Sequence, residues 1–503
     1  MRIDRRTLLA GGLAAGAVLA LQPAQTFAQP LWTGRAAGAS RRSALFPGVH
    51  LVHGDLHNHS HLSDGMGDPT QLYTTLRAAG IDVAALTDHT VGASAFDRDV
   101  CAPVPSTVGE RNPCRELFGL GEDGWQLVRS LADDADAPAR YTALSGFEWS
   151  SPYLGHMNVW FSEEWVDPLR TGGLTADGLA SIGLPVELLA VLLRTEFGAL
   201  LTEAEIAGFL ASVRDQEPAG MRRLYDWMLR RPGHAQGGGS DALVGFNHPN
   251  REPDVFDGFR YDERVADRVV SLELFNRRDD YLFEGVRDGM ASPLVACLNA
   301  GWRVGIIGVT DEHDPNWGSA AGKGRAGIWL RTLTRLGVRE ALLSRRLFAT
   351  REAGLALAAT ADGVPMGQPV PEPTGDVTFE VDLDLGPDLA GTPVTIQVLR
   401  PGPQVPAVAD IVSATAGGPE PIRFSVPLDP ADGDWVVLRV SDPSHPNDAP
   451  APFEHPCNDR GLAYSSPWWL GGARRPAAAT VARGAHRTRR MSAHDLAWWG
   501  HAH

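Results

Sequence analysis

Short apolar runs that each lie beside a histidine or an acid are the feature that most restricts how this chain can fold. They occupy residues 51–57, 82–87, 141–147, 157–161, 243–247, 269–275 and 304–310. Apolar runs of this length fit strands that are buried on both faces, as in parallel sheets. When such strands alternate with helices, the side chains at their carboxyl ends meet at one edge of the fold. The sequence therefore predicts an α/β protein whose chemistry lies at that edge.

The first run ends in the pair His57 and His59. Residues i and i+2 of a strand point to the same face, so both imidazoles would reach one metal ion, with Asp64 near a second. Taken alone, the pair also fits two solvent-exposed histidines on an edge strand. A helix that begins at Asp68-Pro69 and stops at Gly80 separates this run from the next one, which predicts a β-α-β unit with parallel strands.

Nine side chains beside the runs are of metal-ligand type: His57, His59, Asp64, His89, Glu148, His156, His248, Asp311 and His313. Imidazole and carboxylate ligands without thiolate suit zinc, manganese or iron. A carboxylate such as Glu148 can bridge two cations, whereas one imidazole nitrogen binds only one. Because nine ligands exceed the four of a tetrahedral ion, we expect two or three divalent metal ions.

Six segments resemble, in order, the motifs of the PHP (polymerase and histidinol phosphatase) family. They are His57-Asn58-His59 with Ser63-Asp64-Gly65, Thr87-Asp88-His89, Gly146-Phe147-Glu148, Gly155-His156, Asn247-His248-Pro249 and Asp311-Glu312-His313. The resemblance covers roughly residues 53–350. It implies a distorted (β/α)7 barrel with a site for two or three metals.

Carried over by position, the resemblance also implies which residues share each metal. The first metal would be held by His57, His59, Glu148 and Asp311, the second by Glu148, His156 and His248, and the third by Asp64, His89 and His313. Many family members have a histidine at the position of Asp64, and the Ser-Asp-Gly form also occurs. Residues 333–350 and 463–467 are similar to segments of exported PHP-like proteins that carry a C-terminal β domain.

The predicted function is a metal-dependent phosphoesterase that hydrolyses a phosphate mono- or diester through a metal-bridging hydroxide. The candidates for neutralising charge on the phosphoryl oxygens are Arg277, Arg278, Lys323 and Arg351, each of which also fits a solvated or interface cation. Asp88 either orients an imidazole as the neighbour of His89 or caps a loop. Asn158 and Asn276 are candidates for positioning the substrate, and Asn276 equally fits a cap at the end of its strand.

Two other functions fit the same residues. One is a metal-dependent hydrolase of an amide, a lactone or a sulfate ester, which would use the same metals with different substrate-binding groups. The other is a non-catalytic binding protein on a PHP scaffold. That function predicts missing ligands, whereas every expected position is filled here.

The N-terminus is typical of an export signal. Arg5-Arg6 precede an apolar run from Leu8 to Leu21, followed by small residues at 26–28, which resembles a twin-arginine signal; an ordinary secretory signal is the alternative. We therefore expect a signal peptide at 1–28, a linker at 29–47 and a periplasmic or secreted protein. No other segment is long and apolar enough to cross a bilayer, so no stable membrane anchor is expected.

The pattern of predicted helices and strands divides the rest of the chain into three parts. Residues 48–352 are predicted to form the barrel, with a helical insertion at 163–218 and a last helix at 339–347. Short alternating strands at 353–470 predict a β-sandwich-like domain. In the tail, 471–503, His501 and His503 would give only adventitious metal affinity.

Charge and cysteine content restrict the partners. The formal net charge of −16 repels polyanions, so nucleic acid is not expected and a small-molecule phosphate ester is. No C-x-x-C pair occurs, which excludes a zinc finger or a redox motif. Cys101 and Cys114 either close a short disulfide loop or stay reduced, and Cys297 is expected in the core.

Overall fold

The structure is a computed structural model that describes residues 41–215, 220–252, 255–319, 323–371, 375–386, 390–448 and 451–471. The predicted signal peptide, residues 29–40 of the linker, residues 216–219 of the insertion and residues 472–503 of the tail lie outside the described residues. Within the described part of the chain, no helix has the length and apolar character needed to cross a membrane.

The strands of the first 350 residues are β1 His50–Asp55, β2 Val83–Leu86, β3 His89–Thr90, β4 Thr142–Ser151, β5 Gly155–Trp160, β6 Leu243–Phe246, β7 Val269–Asn276, β8 Asp279–Asp280, β9 Gly305–Val309, β10 Arg325–Leu330 and β11 Leu347–Thr350. The later strands are β12 Ala356–Ala361, β13 Val364–Pro365, β14 Pro369–Val370, β15 Asp376–Asp384, β16 Pro393–Arg400, β17 Ala407–Thr415, β18 Ile422–Pro427, β19 Trp435–Pro446, β20 Asp459–Ser465 and β21 Trp468–Leu470. The helices are α1 Pro69–Ala78, α2 Pro113–Phe118, α3 Glu122–Ala135, α4 Pro168–Thr171, α5 Ala176–Ser181, α6 Val186–Phe197, α7 Glu203–Arg214, α8 Arg222–Leu229, α9 Phe256–Phe259, α10 Pro293–Asn299 and α11 Arg335–Leu343.

The large sheet contains strands of both directions. Strand β1 pairs in parallel with β2 and antiparallel with β10, while β4 pairs in parallel with β2 and β3. Strand β5 runs antiparallel between β4 and β6, and β7 runs parallel to β6 and β9. Strand β9 lies close to β10 and β11. A Cβ on Gly308 of β9 would lie 2.8 Å from Arg325 N of β10 and 3.0 Å from Thr350 O of β11. The chain is a mixed α/β protein with a large sheet; closure as a (β/α)7 barrel stays a prediction.

One face of strand β5 carries polar side chains near its start and an apolar side chain at its end. Trp160, Asn158 and His156 alternate along β5 and therefore share one face, and Asn158 is paired with Glu148 of β4. Trp160 packs in an apolar cluster with residues of α11, such as Leu342. The apolar cluster around Trp160 therefore lies on the same face of β5 as the candidate metal ligand His156.

Strand β11 joins the large sheet to the C-terminal β region, which we define as residues 356–470. It pairs antiparallel with β20, and the sheet continues through β19 and β16 to β17. A second sheet has the order β13-β12-β15-β18. Phe379 of β15 and Ile396 of β16 are buried in one apolar cluster, so the two sheets share a core. The β-sandwich-like domain with the bounds 353–470 stays a prediction.

Three predicted elements differ from the structure. The last helix is α11, which Thr334 caps by accepting a hydrogen bond from Gly337 N; it ends before Arg345, whose φ of 50° is incompatible with a right-handed helix. Leu347, expected as the end of that helix, instead begins β11. Strand β1 ends at Asp55, so the histidine pair follows the strand, and Glu148 lies inside β4 because β5 continues the ladder beyond it.

Helices α4 to α7 form most of the region that was predicted as an insertion. Cys101 and Cys114 form a disulfide, the first of the two alternatives. Cys297 is buried in α10 as a free thiol, as expected.

Candidate metal centre

Two backbone hydrogen bonds hold the segment after β1 against the segment after β9. Asp311 N donates to His57 O at 3.0 Å, and His59 N donates to Glu312 O at 3.0 Å. The backbone therefore presents two imidazoles and one carboxylate from different parts of the chain to the same place.

Asp88 anchors the loop between His59 and Asp64. Its buried carboxylate accepts hydrogen bonds from Ser60 N and Ser60 Oγ at 2.8 Å each and from Ser63 Oγ at 2.6 Å. Burial raises the pKa of Asp88 to about 6, against these hydrogen bonds, which favour the charged form. Of the two roles predicted for Asp88, the structure shows the capping of a loop.

The nine predicted ligand side chains lie together and are buried. Their donor atoms fall into overlapping groups: His57, His59 and Asp311; His57, Glu148 and His248; His89, Glu148 and His156; His59, Asp64, His89 and His313; and His156 and His248 with Glu252. Each pair of imidazole and carboxylate donors within a group is close enough for one ion to bind both.

The first group has the spacing of a metal site. The Nε2 atoms of His57 and His59 are 3.0 Å apart, and Asp311 Oδ1 lies 3.4 Å from the first and 3.2 Å from the second. Two nitrogens bound to one tetrahedral zinc ion would be about 3.3 Å apart. The three atoms are therefore placed as ligands of one cation.

Asp64 is the centre of a second group. Its Oδ2 lies 3.0 Å from His313 Nε2, and its Oδ1 lies 3.4 Å from His89 Nε2 and 3.7 Å from His59 Nδ1. His59 thus faces Asp311 with one ring nitrogen and Asp64 with the other. The carryover from the family places His59 with the first metal alone.

Glu148 connects the remaining imidazoles. Its Oε1 lies 3.2 Å from the Nε2 atoms of His57 and His248 and 3.3 Å from His156 Nδ1, while its Oε2 lies 2.6 Å from His89 Nδ1. A carboxylate with four imidazoles around it has the geometry of a bridging ligand.

Charge complementarity sets the protonation of the cluster. Burial alone would raise the pKa of Glu148, Asp64 and Asp311, but the adjacent imidazoles hold each pKa well below its usual range. Burial, and then the neighbouring His313 and His89, lowers the pKa of His59 to about 3. These four side chains are therefore in the deprotonated form that binds a metal.

Buried oxygens without hydrogen bonds show that the residues fit a cation. Both carboxylate oxygens of Asp311 and Oε2 of Glu148 are buried, and within the described residues none meets the geometry of a hydrogen bond, although imidazole or guanidinium nitrogens lie 2.6–3.7 Å from each. Leaving such atoms unsatisfied is costly, and divalent ions bound by the donor groups of Asp311 and Glu148 would satisfy them. The nitrogen and oxygen donors, without thiolate, are those of a divalent-metal site.

Four supporting residues were not predicted. Glu273 accepts a hydrogen bond from His57 Nδ1 at 2.9 Å and from His248 N at 2.8 Å, which leaves His57 Nε2 free to bind a metal. Asn247 donates from Nδ2 to Glu148 Oε1 at 2.6 Å. Two features of the sequence could have identified these residues. Glu273 is a lone acid in an apolar run, and Asn247 is the first residue of the Asn-His-Pro motif.

The other two unpredicted residues follow that motif. Glu252 lies 3.8 Å from His248 Nδ1 and 3.9 Å from His156 Nε2, and Arg251 Nη1 lies 3.7 Å from Asp311 Oδ2. No pattern in the sequence marks either residue, because their proximity depends on the turn that follows β6.

The predicted cations have different surroundings. Arg277 is beside the cluster, with Nε 3.6 Å from Asp311 Oδ2 and Nη2 2.8 Å from His313 Nδ1. Lys323 Nζ donates to Glu312 Oε2, and Arg278 is exposed.

Arg351 is directed to the C-terminal β region. It donates from Nη1 to Asp448 Oδ2 at 3.0 Å, and its guanidinium lies 4.6 Å from the ring centroid of Phe275. This is the interface position that the sequence left open as the alternative for Arg351.

The two predicted asparagines are both buried. Asn276 donates from Nδ2 to Glu273 Oε2 at 2.9 Å. It therefore stabilises Glu273, which in turn supports the metal ligands. Asn158 lies on the same face as Glu148, and among the described residues neither its Oδ1 nor its Nδ2 has a hydrogen-bond partner.

No family model and no curated protein matches the sequence. A solved two-domain protein from Bacteroides vulgatus that contains a predicted PHP-like metal-dependent phosphoesterase is similar at 14% identity and a TM-score of 0.38, over 86% of this chain and 100% of that one. A protein from Bifidobacterium adolescentis, predicted to be a metal-dependent phosphoesterase, is similar at 14% identity and a TM-score of 0.25, over 52% of this chain and 88% of that one. An amidohydrolase from Chromobacterium violaceum with bound sulfate is similar at 16% identity and a TM-score of 0.22, over the same shares.

Proposed function

We propose that this protein is a metal-dependent phosphoesterase of the PHP type, which hydrolyses a phosphate mono- or diester with two or three divalent ions. The observation that carries the proposal is the buried carboxylate of Glu148 with four imidazoles around it. Divalent ions bound there would lower the pKa of a coordinated water and neutralise charge on the phosphoryl oxygens.

The nine predicted ligands would hold the ions, and Glu252 would extend the group of His156 and His248. Glu273 would keep His57 in the tautomer whose Nε2 binds a metal.

Two arginines supply the substrate-binding charge. Arg251 and Arg277 approach the same atom, Asp311 Oδ2, at 3.7 Å and 3.6 Å. Their side chains are 17% and 23% exposed, so both are partly buried beside the cluster and still reach solvent. We propose that they orient the non-bridging oxygens of the phosphoryl group and stabilise the charge that develops there.

We predict that the protein loaded with zinc or manganese hydrolyses an aryl phosphate ester. Activity is expected to disappear on treatment with a chelator and to return when zinc or manganese is added, because the nucleophile and the phosphoryl charge both depend on the ions. The measurement is release of the phenol from a panel of aryl mono-, di- and triesters.

Correctly folded, metal-replete protein that hydrolyses none of these esters would refute the proposal. A parallel panel of aryl amides, lactones and sulfate esters tests the alternative hydrolase. Turnover of one of those substrates, without inhibition by inorganic phosphate, would assign the site to a different bond.

A further inference from the structure

The turn after β7 carries Arg277 and is held in an unfavourable backbone conformation. Strands β7 and β8 form a tight hairpin, with Phe275 opposite Asp280 and Asn276 opposite Asp279, so Arg277 and Arg278 are its two turn residues. Arg277 has a φ of 53°, in the left-handed region that residues other than glycine and asparagine rarely adopt. Such a conformation persists only where the surrounding structure fixes it.

Inside the turn, Arg277 contacts the candidate metal centre. Its Nε donates to Asp311 O at 3.2 Å, and its Nη2 lies 2.8 Å from His313 Nδ1. The next turn of the chain places the ring of Tyr281 6.0 Å from the guanidinium of Arg251, the second substrate-facing cation. The hairpin and the following turn, residues 277–283, therefore set the position of both arginines. We call this segment the arginine hairpin.

The C-terminal β region contacts the arginine hairpin at Asp280 and at Phe283, whose ring centroid lies 5.0 Å from that of His455. Tyr464 of β20 donates its hydroxyl to Asp280, with both carboxylate oxygens 2.9 Å away. Arg439 of β19, which is completely buried, donates from Nε to the Tyr464 hydroxyl at 3.0 Å. Asp280 Oδ1 in turn accepts Leu282 N at 3.1 Å, which fixes the turn that follows.

The contact between Asp280, Tyr464 and Arg439 consists of buried polar groups, which two surfaces do not need in order to pack together. Burying an arginine and an acid costs free energy that apolar residues of similar volume would not cost, so stability alone does not account for such a contact. Tyr464 also packs its ring on Phe275, at 5.1 Å between centroids, so both strands of the hairpin contact the same side chain. The hydroxyl therefore fixes the hairpin at Asp280, which lies opposite Phe275, two residues before Arg277.

We propose that Tyr464 and Arg439 are positioning residues of the candidate active site. Through Asp280 they hold Arg277 against Asp311, so the C-terminal β region completes the substrate-binding side of a centre whose metal ligands all come from the first 313 residues. The kinetic part of this inference rests on the proposed phosphoesterase function, whereas its structural part does not.

The test is the variant Tyr464→Phe, which keeps the ring on Phe275 and removes only the hydroxyl. Tyr73→Phe is the matched control, since the Tyr73 hydroxyl is also buried and donates to Leu144 O at 2.7 Å, away from the arginine hairpin. Amide hydrogen exchange by mass spectrometry on residues 279–283 is the first readout, and it needs no substrate. The loss of one hydrogen bond to a charged group is expected to accelerate exchange there about tenfold in Tyr464→Phe and not in Tyr73→Phe.

Kinetics supply the second readout. In Tyr464→Phe the KM for an aryl phosphate and the inhibition constant of inorganic phosphate are expected to rise about tenfold, with the bound metal unchanged. Asp280→Asn keeps a carbonyl oxygen for the Tyr464 hydroxyl and is expected to retain most of the phosphate affinity. If exchange at 279–283 and phosphate affinity in Tyr464→Phe equal those of Tyr73→Phe, the inference is wrong. If no ester is hydrolysed but exchange accelerates, the phosphoesterase proposal fails while the positioning role stands.

Discussion

Glu148→Gln is expected to lower kcat/KM on an aryl phosphate by on the order of a thousandfold or more, because it removes a ligand rather than a supporting residue, and loss of supporting residues alone costs about 10- to 100-fold. The carboxamide cannot bridge two cations, although it has nearly the same shape. Glu148 belongs to two of the donor groups, so at least one bound ion per chain is expected to be lost. Metal content by inductively coupled plasma mass spectrometry and initial rates check both effects.

Glu340→Gln is the control for this change. Glu340 lies on α11, has a side chain that is 41% exposed and pairs with Arg331 at 3.0 Å, so the variant should keep the metal content and the activity of the parent protein. Full metal content and activity in Glu148→Gln would show that this carboxylate does not bridge ions.

His59→Ala is expected to produce a loss of comparable size. His59 is the side chain that faces both Asp311 and Asp64, so its removal takes a ligand from two donor groups at once. Its low pKa keeps the imidazole neutral at neutral pH, so no proton must leave before a metal binds. We predict lower metal content together with a loss of activity on the order of a thousandfold.

His61→Ala is the matched control because it removes an imidazole from the same loop. His61 lies outside the donor groups, so metal content and activity should remain. If His59→Ala loses activity while every ion stays bound, the assignment of His59 as a ligand is wrong.

The chemistry of the candidate centre could be predicted from the sequence because its donors follow apolar runs. A charged or imidazole side chain at the end of a buried strand needs a partner, and neighbouring strands bring several such ends together. This reasoning placed His57, Asp311 and the other seven ligand types in one site, and the structure brings them within contact distance. The lone acid at Glu273 carried the same signal inside a strand, where no rule about strand ends applies.

Other features depend on geometry that composition does not encode. Arg251 faces Asp311 only because the chain turns after β6, and Arg351 faces Asp448 only because β11 pairs with β20. The sequence predicted helix through Leu347, since its apolar spacing fits a helix as well as a strand, and the left-handed residue Arg345 decides between them. The role of Tyr464 required the pairing of β19 with β20, which joins residues far from the arginine hairpin in sequence.

The central claim is that these side chains hold a shared centre of divalent ions. Crystals of manganese- or zinc-loaded protein, measured at the absorption edge of the metal, test it most directly. The claim predicts at least two anomalous difference peaks within bonding distance, about 2.0–2.3 Å, of donor atoms of the nine ligand side chains, with Glu148 contacting two of the peaks. Crystals of metal-replete protein with no peak among His57, His59, Glu148 and Asp311 would contradict it.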